Sequence, residues 1–261
     1  MHIIVPWSYE MSSYKKPTDY FDEELAKMLA DKISLVYTDF DSSNFIEAVR
    51  SSYKNKALKQ RVELIADQLF TYLPDDYSAA VGILTQILGP ENPEETGMFT
   101  NYYWLMPVAK FVEKFGLNHY QLSIGAIEEI TKRNTGEYAI RPFIEKYPSE
   151  TLMVMKKWAK SGNFHLRRLA SEGLRPKLPW APKLDLFIDD PSPVFDILTL
   201  LKEDEVHFVK KSVANHITDY FKVNPFAAQK LIEGWQPTEN EHTRWIINYA
   251  TRKVNPDLLK N

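Results

Sequence analysis

The sequence predicts an all-α fold of stacked helical repeats. Three observations carry this prediction. Apolar residues recur at spacings of three and four along most of the 261-residue chain. Pro and Asn/Asp/Gly clusters interrupt that period at short intervals. The alternation bounded by Gly pairs that tight hairpins require is missing, and 9 Gly against 16 Pro would supply few such turns.

The elements follow from these signals. Over 58–73 the apolar positions are Leu58, Val62, Ile65, Ala66, Leu69 and Leu73, one face of a helix. The same period predicts helices near 18–35, 76–88, 102–115, 119–131, 148–160, 205–222 and 239–253. The breaks between elements fall at Leu73-Pro74-Asp75-Asp76, Gly89-Pro90-Glu91-Asn92-Pro93, Asp189-Asp190-Pro191-Ser192-Pro193, Val223-Asn224-Pro225 and Gln236-Pro237-Thr238-Glu239.

In the second half a basic or polar pair followed by a small-residue helix recurs three times. The copies begin at Phe164-His165-Leu166-Arg167-Arg168, His207-Phe208-Val209-Lys210-Lys211 and His242-Thr243-Arg244-Trp245. Spacings of about 43 and 33 residues are in the range of HEAT-like repeats, which stack on their neighbours and curve to leave a concave face. The expected organisation is a single repeat domain over 1–261, with 1–20 as an N-terminal extension.

Composition narrows the chemistry. With no cysteine there is no thiol nucleophile, disulfide or thiolate metal site. No Gly-rich phosphate loop, His-Glu-x-x-His metal motif or Gly-x-Ser-x-Gly elbow occurs. Neither a metal nor a cofactor is expected. His216 reads as a buried, hydrogen-bonded core residue rather than a ligand. The start, Met1-His2-Ile3-Ile4-Val5-Pro6-Trp7, is too short for a signal-peptide core, and no apolar run reaches the length of a membrane span. An intracellular, cytoplasmic protein with no membrane partner is expected.

The formal net charge of −3, taken whole, argues against a nucleic-acid partner. Its distribution argues otherwise. Residues 132–183 hold twelve Lys/Arg against Glu137, Glu145, Glu150 and Glu172, a surplus of eight that leaves −11 over the remainder. Such a segment fits either a set of solvated helix faces or a positive patch for phosphates.

Three carboxylates stand out near that segment. Glu137 follows Asn134 by three residues, the spacing of a capping box. Glu172 closes the 164–172 helix just before Gly173, where the helix dipole disfavours negative charge, so pairing with Arg168 or Arg175 is expected. Asp219 falls on one stripe with Phe208, Ser212 and Asn215 (i, i+4, i+7, i+11), beside the core stripe of Val209, Val213, Ile217 and Tyr220. It reads either as an ordinary exposed Asp or as the floor of a groove. Trp180, in Leu178-Pro179-Trp180-Ala181-Pro182, is a packing residue or an aromatic presented on a rigid loop.

The runs Glu137-Tyr138-Ala139-Ile140-Arg141-Pro142-Phe143, Trp158-Ala159 and Leu166-Arg167-Arg168-Leu169-Ala170-Ser171-Glu172-Gly173-Leu174-Arg175-Pro176-Lys177-Leu178-Pro179-Trp180-Ala181 closely resemble the AlkC family of HEAT-repeat DNA glycosylases, relatives of AlkD. The run Val209-Lys210-Lys211-Ser212-Val213-Ala214-Asn215-His216-Ile217-Thr218-Asp219 fits the next family repeat. The chain resembles a shorter form lacking the C-terminal immunoglobulin-like domain that some members carry. The resemblance implies a HEAT-like solenoid with a concave basic groove, the lesion-site repeats lying near 132–222. It implies excision of cationic N-alkylated bases of the 3-methyladenine and 3-methylcytosine class from duplex DNA by a monomer, nucleoid-associated when bound, without a deep base-flipping pocket.

The same resemblance places Glu137, Glu172 and Asp219 at the lesion and Trp180 against its sugar. Arg141, Arg167, Arg168, Arg175, Lys177, Lys210 and Lys211 are the corresponding phosphate contacts. The competing reading is a HEAT-like protein or DNA scaffold without chemistry, which has no use for the three acids.

Overall fold

A computed structural model of the chain describes residues 15–97 and 101–254. Among the described residues there are thirteen α-helices and no strand. They are α1 (Glu23–Ser34), α2 (Ser42–Ser52), α3 (Leu58–Tyr72), α4 (Tyr77–Gln86), α5 (Met106–Phe115), α6 (Tyr120–Thr131) and α7 (Arg141–Lys146). The second half adds α8 (Pro148–Trp158), α9 (Phe164–Glu172), α10 (Ser192–Leu200), α11 (His207–Val223), α12 (Pro225–Gly234) and α13 (Glu241–Thr251).

Polar residues at the helix starts act as caps. Asp76 accepts the Ala79 amide to start α4, Asn163 the amides of His165 and Leu166 to start α9, and Asn224 that of Ala227 to start α12. Each cap satisfies amide donors that the first helical turn leaves open. The apolar period does not place α2, α7, α10 or α12. The last three each have a Pro in the first two positions. That proline fits a helix start, yet in sequence it reads as an interruption.

The helices pack as a solenoid. α6, α9, α11 and α13 succeed one another in contact, while α8 and α10 cover α9 and α12 covers α11. The three sequence copies are thus α9, α11 and α13. Leu166 and Leu169 of α9 and Val209, Val213, Ile217 and Tyr220 of α11 are buried in one contiguous core with Trp158 of α8 and Phe143 of α7. Truncating such a residue, Leu169→Ala for example, costs about 2–5 kcal/mol.

Two glycines let α9 approach the turn that precedes α7. A Cβ on Gly173 would stand 2.8 Å from Ile140 Cγ2. One on Gly136 would collide with the Thr131 hydroxyl and crowd Leu169. Bare backbone at both positions brings the turn carrying Glu137 against the helix that ends at Glu172.

Candidate active site

The stripe on α11 faces α9, and the two helices clasp a chain of alternating charges. Arg168 of α9 donates to both Glu137 oxygens, from Nη1 at 3.2 Å and Nη2 at 3.4 Å, and Nη2 lies 3.6 Å from Glu172 Oε1. Arg175 donates from Nη1 to Glu172 Oε1 at 2.7 Å and from Nε to Asp219 Oδ2 at 2.9 Å. Asp219 Oδ1 is 3.5 Å from Lys222 Nζ. The three acids, far apart in sequence, therefore share one network in the order Glu137, Arg168, Glu172, Arg175, Asp219. Asp219 is 3% exposed, so it is not an ordinary surface Asp.

Neutral neighbours complete the network. Ser212 donates to Glu172 Oε2 at 2.6 Å and also lies 3.0 Å from the Ser171 hydroxyl. The Phe208 ring lies beneath the Arg168 guanidinium, 4.4 Å from its centroid, a cation–π contact. Burial works against the charge of Glu172, but Arg168, Arg175 and the Ser212 bond outweigh it and hold the carboxyl below its ordinary range. Asp219 moves the other way: burial pushes its carboxyl up, and Arg175 offsets only part of this.

Two expectations are corrected here. The capping box does not form, because Glu137 turns to Arg168 while Asn134 donates to the Tyr102 carbonyl. His216 is fully buried, as expected, and stacks on Tyr220, but the Ser171 backbone group that acts on its ring lies outside hydrogen-bond geometry. Burial first, then the Arg175 charge, push it down to about 3, so its ring stays neutral.

Trp180 is 70% exposed with φ +62°, a left-handed conformation unusual for a non-glycine residue. Side chains from separate elements hold its loop. Lys59 of α3 donates to the Trp180 carbonyl, Tyr138 to that of Pro179 at 3.0 Å, and Arg141 of α7 to that of Pro182 at 2.6 Å. Tyr138 is pushed up to about 12 by burial and then by the charges of Glu137 and Glu172. It remains a neutral donor at physiological pH.

The basic segment is far less free than its charge count suggests. Arg141 is buried and also donates to the Gly173 and Arg175 carbonyls at 3.2 and 2.9 Å, so it holds the loop and is not open to a phosphate. Arg167 is clasped by Asp204 through Nε at 2.6 Å and Nη2 at 3.2 Å. Arg168 and Arg175 face the acids. Lys132 and Arg133 pair with Glu129, Lys156 with Asp196 and Lys183 with Asp185. Lys157, Lys160 and Lys177 are exposed and make no ion pair among the described residues. Lys211 is likewise exposed, while Lys210 lies 3.2 Å from His242 Nδ1 and over the Trp245 ring.

Beyond Asp219 a cavity of about 340 Å³ opens between α11 and the end of α13, reached by Arg175, Lys222, Arg252 and Lys253. The sequence reading assigns no role to the last three. A signal was present for Lys222 alone, three residues from Asp219 on the same helix. Among the described residues no group of His, Asp and Glu is arranged to hold a metal, and no helix is long and apolar enough to cross a membrane.

Comparison with known proteins adds three findings. Residues 113–254 match a family model described as DNA alkylation repair enzyme. The chain is 35% identical over 237 residues to the uncharacterized protein YhaZ of Bacillus subtilis (strain 168), covering 90% of this chain and 64% of that one. Its fold superposes with a TM-score of 0.82 on Pseudomonas fluorescens alkylpurine DNA glycosylase AlkC bound to DNA containing an abasic site analog, at 31% identity over 93% of this chain and 65% of that one. The fold is thus the HEAT-like solenoid of that structure. The chain spans just under two thirds of the length of both relatives.

Proposed function

The chain belongs to the DNA alkylation repair enzyme family, and from that premise we propose that it is a DNA glycosylase that removes cationic N-alkylated bases from duplex DNA. The observation that carries this reading is the convergence of Glu137, Glu172 and Asp219 on one network, with an open cavity at Asp219.

The chemistry suits such a cluster. A base alkylated at N3 carries a positive charge. When its C1′–N bond breaks, the electron pair moves to the base, which departs neutral and needs no general acid. The sugar becomes an oxocarbenium-like cation, which buried carboxylates stabilise. Glu172, held ionised by its arginines, supplies that negative field. Asp219 faces the cavity and positions the water. As the water oxygen bonds to C1′, its proton passes to Asp219, whose raised affinity for protons fits a base. Glu137 adds negative potential at the far end of the network. Trp180, fixed in its left-handed turn, rests against the sugar. Lys177, Lys210 and Lys211 are the candidates for phosphate contacts, with Arg168 and Arg175 setting the position of the acids.

The test is release of 3-methyladenine from a methylated duplex by purified protein under single-turnover conditions. The expected result is base release that Asp219→Asn and Glu172→Gln each slow about 100-fold or more. Wild-type protein that releases no base at high concentration would leave the network a purely structural one and refute the reading. Both substitutions releasing base at the wild-type rate would refute the site.

A further inference from the structure

The cavity beyond Asp219 holds charges that the excision chemistry does not use. Its wall carries four cations, Arg175, Lys222, Arg252 and Lys253, against the single carboxylate of Asp219. Arg175 is committed to Glu172 and Asp219. The other three are not spent in this way. Lys222 is more than half exposed, and its one ion pair among the described residues is with Asp219 Oδ1, at 3.5 Å. Lys253 is exposed and makes no ion pair among the described residues.

Arg252 donates one N–H to the Tyr249 carbonyl and rests on the Tyr249 ring, 3.5 Å from its centroid. That leaves most of its five donors unused among the described residues. Tyr249 is itself stacked on Trp245, with centroids 4.9 Å apart, and Trp245 meets His207 edge-on at 5.0 Å. The exposed guanidinium therefore rests on an aromatic row. Among the described residues Arg252 and Lys253 have no acid partner and Lys222 has only Asp219, and such a surplus of cations in a concave site fits an anion.

Asp219, with Lys222 beside it on α11, and Arg252 and Lys253 at the end of α13 fit the two charges of one nucleotide. We propose that this cavity is a phosphodiester site: Lys222, Arg252 and Lys253 receive the backbone phosphate adjoining the damaged nucleotide, while Asp219 faces its sugar. This rests on the glycosylase reading and adds α13 to the DNA contact surface. The site anchors the strand beside the bond to be cut, so that the sugar is presented to Asp219. A phosphate placed here also neutralises the cations nearest the nascent sugar cation, leaving the field of the acids less opposed.

The experiment is binding to a duplex carrying a stable abasic analogue, measured over a range of salt, with the full chain. Lys222→Gln/Lys253→Gln is expected to raise Kd about tenfold or more and to lower the slope of log K against log salt by up to about one, the share of the single phosphate they neutralise. Both residues are exposed, and circular dichroism and thermal unfolding confirm that the variant is folded. In parallel, a duplex in which one phosphate beside the analogue is a neutral methylphosphonate is tested on each flank. On one flank it should weaken wild-type binding and have little further effect on the double variant.

An unchanged Kd and salt slope in the double variant would overturn the proposal. So would methylphosphonate effects on both flanks that add fully to the substitutions. The readout is binding, so it separates from excision. A phosphate site that behaves as stated in a protein that releases no base would sink the glycosylase reading and leave this one standing. Normal excision with no loss of binding in the variant does the reverse.

Discussion

Arg175→Met probes the network at its most loaded point. The substitution removes three contacts: Nη1 to Glu172 at 2.7 Å, and Nε and Nη2 to Asp219 at 2.9 and 2.8 Å. Two buried carboxylates then lose their main partner. Breaking a buried pair in this way costs about 3–5 kcal/mol. Glu172 keeps Ser212 at 2.6 Å and a distant Arg168 at 3.6 Å, and Asp219 keeps Lys222 at 3.5 Å. Those remaining partners put the expected loss at the low end, about 3 kcal/mol at pH 7, or roughly 6–12 °C in Tm for a chain of this size.

The pH dependence gives a second, independent reading. In the wild type, Glu172 is held below its ordinary range, so the stability it supplies is complete above its unfolded-state value and is lost only as pH falls through the lower folded one. Acidification from pH 7 to 5.5 therefore leaves that contribution intact. In the variant both carboxyls lose the positive charge that lowers them, so the fold favours their protonated forms, and stability rises as pH falls through their raised values. The gap between the two proteins should narrow at pH 5.5. Urea unfolding of both at the two pH values is the assay. A loss below about 1 kcal/mol at pH 7, or a gap that stays constant or widens on acidification, would refute the reasoning.

Further outcomes follow from the same geometry. The single-turnover rate of excision should fall on the acid side at a pH above the ordinary aspartate range, because burial raises Asp219; a flat rate down to pH 4.5 would contradict its role as base. Arg141→Met should cost about 2–4 kcal/mol in urea unfolding yet leave the salt slope of DNA binding unchanged, since its donors go to three carbonyls. A slope reduced by about one would restore it as a phosphate contact. Trp180→Ala should change stability by less than about 0.5 kcal/mol, the side chain being exposed, while slowing excision. Lys59→Met should slow excision in the same way, with Lys59→Arg restoring it, if the Lys59 bond holds the loop.

The sequence by itself determined what depends on neighbours three and four residues apart. Helical period placed most of the helices, Pro and Asn/Asp/Gly clusters marked breaks between them, and the α11 stripe of Phe208, Ser212, Asn215 and Asp219 was legible because all four lie on one helix. The motif runs 137–143, 166–181 and 209–219 indicated the family and, through that resemblance, named the three acids. Their convergence was not in those runs. It depends on α9 and α11 packing side by side and on the two glycines that admit the Glu137 turn.

Charge was read least well from the chain, for a physical reason. A count along 132–183 sees the cations but not the carboxylates and carbonyls that reach them from elsewhere. Asp204 closes on Arg167 from 37 positions away, and Asp219 on Arg175 from 44. Coulomb energy depends on distance in space, and only tertiary packing sets that distance. The structure therefore ties most of the expected positive charge to carboxylates and carbonyls. It also placed Lys222, Arg252 and Lys253 together around a cavity, where nothing local to Arg252 or Lys253 marked a site.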